Sequence, residues 1–75
     1  MTIIELHFHF QQNGVIFLNL TNDFAHSVYK NEENGKMVTI PKLGDNEHFN
    51  PEVILIACVW LEIPIPEQLN TELSE

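Results

Sequence analysis

The stretch from Ile3 to Leu20 constrains this chain most, because it sets two apolar runs on either side of Gln12-Asn13-Gly14. From Ile3 to Phe10 the side chains alternate. As a strand, Ile4, Leu6, Phe8 and Phe10 would line one face and Ile3, Glu5, His7 and His9 the other. A period of two marks a half-buried strand. The run Val15 to Thr21 is apolar at nearly every position, so the turn has to decide its facing. A two-residue loop at Asn13-Gly14 would set Phe8 against Asn19. A three-residue loop closed by a left-handed Gly14 instead pairs Phe10 with Ile16, Phe8 with Leu18 and Leu6 with Leu20. That register keeps the apolar side chains together, and a slip of one residue would exchange the faces of a whole strand. It predicts Leu6, Phe8, Phe10, Ile16, Leu18 and Leu20 inside. Glu5, His7, His9, Phe17, Asn19 and Thr21 then form an outer face with one exposed aromatic.

Beyond this hairpin, Asn22-Asp23 is a stop. Phe24, Val28 and Tyr29 sit at helical spacing, yet the acids at Glu32 and Glu33 oppose the negative end of a helix dipole. A second hairpin fits better, with Ala25 to Lys30 returning through Asn34-Gly35 into Lys36 to Ile40, Tyr29 opposite Ile40 and Glu33 opposite Lys36. Pro41 ends that strand, and Lys42 to Phe49 is a polar connection. A helix start follows: Asn50 as cap, Pro51 in the first position, Glu52 at the positive end. The body, Val53 to Leu61, is apolar on every side and rich in Val and Ile, which also suits a buried strand; the start signal favours a helix. A helix packed on one sheet hides only one stripe, so the far side of Val53 to Leu61 needs its own cover. Pro64 and Pro66 end the segment, and residues 67 to 75 read as an acidic tail or a short helix. The fold expected is α+β: a single domain over residues 1–66, with an antiparallel sheet of about four strands in two hairpins and one carboxyl-terminal helix packed on it.

Charge narrows the partners. The 75 residues carry eleven acids against three lysines, for a net charge of -8, and no arginine. Residues 43 to 75 hold Asp45, Glu47, Glu52, Glu62, Glu67, Glu72 and Glu75 with no base at all. Direct binding of nucleic acid, which needs Lys or Arg against phosphate, is not expected, and anionic membrane surfaces are disfavoured for the same reason. The longest run without a polar residue, Val53 to Leu61, has nine positions, where a spanning helix needs about 20. No basic segment precedes the first apolar run, so it does not read as a signal peptide, and a cytoplasmic location is expected. A core of this size buries only about 60% of the unfolded chain's surface and often relies on a disulfide, a metal or a second subunit. With Cys58 as the lone cysteine an internal disulfide is excluded, and a homodimer anchored by Trp60 and Leu61 is one way to complete the fold.

Few residues suggest chemistry. Glu5-x-His7-x-His9 would put a carboxylate and two imidazoles on one strand face, with alternate residues about 6.6 Å apart, a spacing that can hold a metal ion with help from His26 or His48. An exposed strand face also simply needs polar residues, and that is the commoner reason for such a pattern. Ser27 and Ser74 lie in no nucleophile elbow, Cys58 sits in an apolar run where its thiolate is disfavoured, and Gly14, Gly35 and Gly44 are isolated turn residues rather than a phosphate loop. Neither an enzyme nor a cofactor is expected. The acidic half is the other signal, because carboxylates spread over a small rigid surface can imitate the phosphates of a duplex and occupy a basic groove. Net negative charge also serves solubility alone.

In size and charge the chain resembles small phage-encoded inhibitors of the anti-CRISPR and anti-defence class, many of which are acidic; the resemblance is one of class and is carried by no motif. It implies a non-catalytic interaction protein in the host cytoplasm that docks on a basic, nucleic-acid-handling protein. Asp45, Glu47 and Glu52 form the densest group of acids and, with Phe17, are the expected partner-binding residues. The alternatives are a metal-binding module on Glu5, His7 and His9, or a homo-oligomeric structural subunit.

Overall fold

A computed structural model of the chain describes residues 1–69. The order of elements is helix α1 (Ile3–Gln12), strands β1 (Val15–Leu20), β2 (His26–Asn31) and β3 (Met37–Pro41), and helix α2 (Pro51–Leu61). The three strands form an antiparallel meander in the order β1-β2-β3. The architecture is therefore small α+β as expected, but with three strands rather than four and with a helix at each end.

The correction falls on the first segment. Ile3 to Phe10 alternates, yet it is helical, because Thr2 and Glu5 close a capping box: the Thr2 hydroxyl accepts from the Glu5 N–H, and the Glu5 carboxylate accepts from the Thr2 N–H at 2.9 Å. In a helix, residues two apart point about 200° apart, so the strand face splits. Leu6 and Phe10, four apart, are fully buried, whereas Ile4 and Phe8, also four apart, form a second stripe exposed at 64% and 61%. Alternating apolar residues thus conceal two helical stripes. Asn13-Gly14 is accordingly a helix stop and not a hairpin turn. Asn13 caps α1 with its N–H on Phe10 O, and Gly14 takes the left-handed conformation (φ 75°) that commonly follows a helix. Ile16 and Leu18, expected inside, are exposed on β1, and Phe17 pairs with Tyr29 beside a bulge.

The second hairpin forms between β2 and β3, two residues out of the expected register: Tyr29 faces Val38, and Ser27 faces Ile40. A slip of two preserves the faces, so Tyr29 and Ile40 still point to the core. The cause lies in the turn. Asn31 Oδ1 accepts from Glu33 N–H and the Asn31 carbonyl accepts from Gly35 N–H, which makes Glu32 to Gly35 a four-residue loop closed by Gly35 at φ 76°.

Helix α2 begins as its sequence indicates, with Asn50 Oδ1 accepting from Glu52 N–H at 3.0 Å and Pro51 in the first turn. It buries Ile54, Ala57, Cys58 and Leu61. One sheet face, through Val15, Tyr29 and Ile40, joins these residues and Leu6 and Phe10 of α1 in a single core. Tyr29 is its hinge, with the Phe10 ring edge-on at 4.9 Å and the Phe17 ring at 5.7 Å. Past α2, Glu62 adopts the left-handed conformation and Ile63 N–H returns to Cys58 O, closing the helix end. Leu69 also joins the core; of the stretch 67–75, expected as an acidic tail or a short helix, residues 70–75 lie outside the described residues.

Candidate functional site

Glu5 and His9, four residues apart, both line a hollow between α1 and residues 64–68, but His7, His26 and His48 do not. Helix α1 sends His7 toward the Tyr29 ring at 6.1 Å and His9 toward the Pro64 carbonyl, with Nε2 at 2.7 Å. Glu5 is held by Thr2, whose backbone N–H is the first cause of its lowered carboxyl pKa, and by Gln68. His26 approaches Asp23 at 3.9 Å, and His48 Nδ1 lies 3.2 Å from the amino terminus. Each group has its own neighbours, and among the described residues no three His, Cys, Asp or Glu side chains converge as a metal site would require. The strand spacing that suggested Glu5, His7 and His9 as ligands is absent because the segment is a helix.

Of the nucleophile candidates, Ser74 lies outside the described residues and the other two are enclosed. Cys58 is fully buried, and desolvation pushes its thiol pKa up to about 11. Ser27 is buried on the side of β2 that also carries Tyr29.

Asp45, Glu47 and Glu52 are all exposed, the first two on the loop before α2 and the third in its opening turn. Glu47 Oε1 accepts from Gly44 N–H at 3.0 Å, which orders that loop. Among the described residues no lysine pairs with any of the three; Lys36 pairs instead with Glu62 at 3.5 Å. Phe17 is half exposed, but on the core-facing side beside Tyr29 rather than on an outer face with the acids.

Leu61 is fully buried within its own chain and so is removed as an interface anchor, whereas Trp60 is 56% exposed. The Trp60 indole N–H donates to Met37 O at 2.7 Å, which ties α2 to the free edge of β3, and the Lys36 ammonium lies 5.4 Å from the ring centre. Ile56 and Val59, exposed at 67% and 63%, extend this patch along α2. The patch contains a shallow hollow of about 400 Å³ lined by Lys36, Leu55, Ile56, Val59, Trp60 and Glu62. A wetter hollow of about 540 Å³ separates α1 from Pro64–Gln68.

Sequence reasoning anticipated that part of α2 would be left bare but did not single out Ile56, Val59, Met37 or Lys36. The signal was available: once Ile54, Ala57, Cys58 and Leu61 are taken as the buried stripe, helical periodicity puts Ile56 and Val59 outside. The partnership of Lys36 with Trp60 joins residues far apart in sequence and has no local signal. No helix among the described residues is long and apolar enough to cross a membrane. No protein-family model, curated protein or solved structure matches the chain.

Proposed function

We propose that this protein acts by binding another protein rather than by catalysis, presenting its acidic half to a basic partner as an inhibitor does when it occupies a nucleic-acid-binding groove. The observation that carries this reading is the exposure of Asp45 and Glu47 on an ordered loop with no neutralising lysine. Their charge is available to a partner, whereas that of Glu62 is shared with Lys36. Carboxylates of this kind steer a basic surface into register and raise the association rate.

The test is a pull-down from host lysate at low and high salt, followed by affinity measurement with two matched double variants. Wild-type capture should fall steeply with salt, because screened charges hold less well, and Asp45→Lys with Glu47→Lys should abolish the capture seen at low salt. Glu32→Lys with Glu33→Lys, on the β2–β3 loop beside Lys30 and Lys36, should leave most of the affinity. Capture that is indifferent to salt and to the first pair would sink the proposal.

A further inference from the structure

We infer that Phe24 is the aromatic anchor of the proposed docking surface, and that the groove it enters is one built for single-stranded nucleic acid, in which the ring takes the place of a stacked base. This rests on the acidic-surface reading above and adds the kind of partner. Phe24 stands in the loop between β1 and β2, is 69% exposed and lies outside the core. Its backbone is left-handed (φ 57°), a conformation that hairpin loops normally give to Gly, Asn or Asp and that is an outlier for a bulky side chain. Glu62, which shares this conformation, closes the end of α2. Phe24 closes no helix.

The loop around Phe24 enforces its conformation. Asp23 Oδ1 accepts from the Thr21 hydroxyl and from Ala25 N–H, and Phe24 N–H donates to Thr21 O at 2.9 Å. Thr21 N–H in turn reaches His26 O at 3.0 Å. Strain held in an ordered, exposed turn by a side chain that adds nothing to the core is a mark of function. The fold also sets this ring beside the acids. His26 pairs with Pro41, so the Phe24 loop and the loop from Lys42 to Phe49 leave the sheet at one end, joined by Lys42 N–H to Ala25 O at 2.9 Å. A bridge between Thr2 and His48 brings the start of α1 to the same end, where α2 also begins. Glu5, Asp23, Asp45, Glu47 and Glu52 thus stand there against Lys42 and the amino terminus, with His26 by Asp23 and His48 by the amino terminus. Acids outnumber cations at this end.

The ring decides which groove such a surface fits. A duplex turns its phosphates outward and hides its base faces in the stack, so an imitation of a duplex has no use for a bare aromatic. Grooves for single strands combine basic side chains with aromatic or guanidinium planes on which bases stack. Carboxylates around one exposed ring match that combination.

The probe is the protein that the wild-type chain retains from host lysate at low salt, purified and titrated with variants of the full chain. Phe24→Gly removes the ring and the left-handed strain together, so its urea midpoint should equal or exceed that of the wild type, while its affinity should fall about thirty-fold. Phe24→Trp, which keeps a stacking plane, should bind as the wild type does, and Phe24→Leu, apolar without a plane, should bind as weakly as Phe24→Gly. An oligothymidine of about 16 nucleotides should displace the chain, and a duplex of equal length should not. Affinity that survives Phe24→Gly or Phe24→Leu, a lowered urea midpoint for Phe24→Gly, or displacement by the duplex alone overturns this inference and leaves the acidic loop in place. No capture at low salt, or capture indifferent to salt and to Asp45→Lys with Glu47→Lys, overturns the acidic reading and this one with it.

Discussion

The β2–β3 turn holds the carboxyl end of α2 through Asn31, and replacing this one residue by Asp tests that connection. Asn31 is 3% exposed and uses both ends of its side-chain amide: Nδ2 donates to Leu61 O at 2.8 Å, and Oδ1 accepts from Glu33 N–H at 3.0 Å. Asn31→Asp keeps the size and the second bond but sets an oxygen against the Leu61 carbonyl, at the negative end of a helix. The lost bond costs about 1 kcal/mol, the buried carboxylate without a donor about 1 to 3 kcal/mol, and the helix dipole up to about 1 kcal/mol. The sum at neutral pH is about 2 to 5 kcal/mol, a large part of the roughly 4 to 11 kcal/mol that 75 residues supply. Protonation restores a donor. The introduced carboxyl therefore has a folded-state pKa raised above its unfolded value near 4, so the stability of the protonated form is present below that value and is lost as pH rises through the folded pKa. Urea midpoints of the variant and the wild type, measured at several pH values from 4 to 8, should diverge as pH increases. Asn31→Ala, which leaves Asn34 Nδ2 on the same carbonyl at 3.0 Å, should cost less at neutral pH and show no such trend. Equal losses at both ends of the pH range, or a larger loss for Asn31→Ala at neutral pH, would show that Asn31 does not act as a donor to α2.

Two further outcomes follow from burial. Leu6→Ala should destabilise by about 2 to 5 kcal/mol while Phe8→Ala costs less than about 1 kcal/mol, because Leu6 is fully enclosed and Phe8 is 61% exposed; a chemical denaturation series reads both, and the reverse order would restore the strand reading of the first segment. Cys58, buried with its thiol pKa near 11, should react with a thiol reagent at pH 8 only as fast as the protein opens, so urea should accelerate labelling in step with unfolding.

Much of the carboxyl-terminal half was legible in order of sequence. Asn50, Pro51 and Glu52 announce a helix by local chemistry that needs no distant partner, and Asn34-Gly35 announces a turn. The first segment misleads for an equally local reason. Apolar residues at every second position satisfy a strand, but four-residue spacing is contained within the same pattern, as Leu6–Phe10 and Ile4–Phe8. The capping box at Thr2 and Glu5 was the sign that chose between them, and Asn13-Gly14 served both readings, since the same pair closes hairpins and ends helices.

The sequence alone determined the charge asymmetry, the single thiol, the class α+β and the surplus of apolar residues in Val53 to Leu61, because these are counts, periods and local caps. The tertiary structure decided which of those apolar residues are covered. Docking of Ile54, Ala57, Cys58 and Leu61 onto the sheet leaves Ile56, Val59 and Trp60 outside, and the Trp60 bond to Met37 brings Lys36 over the ring. An apolar helix has no inherent inside; only its contact with a sheet formed elsewhere in the chain gives it one, and with it an outside.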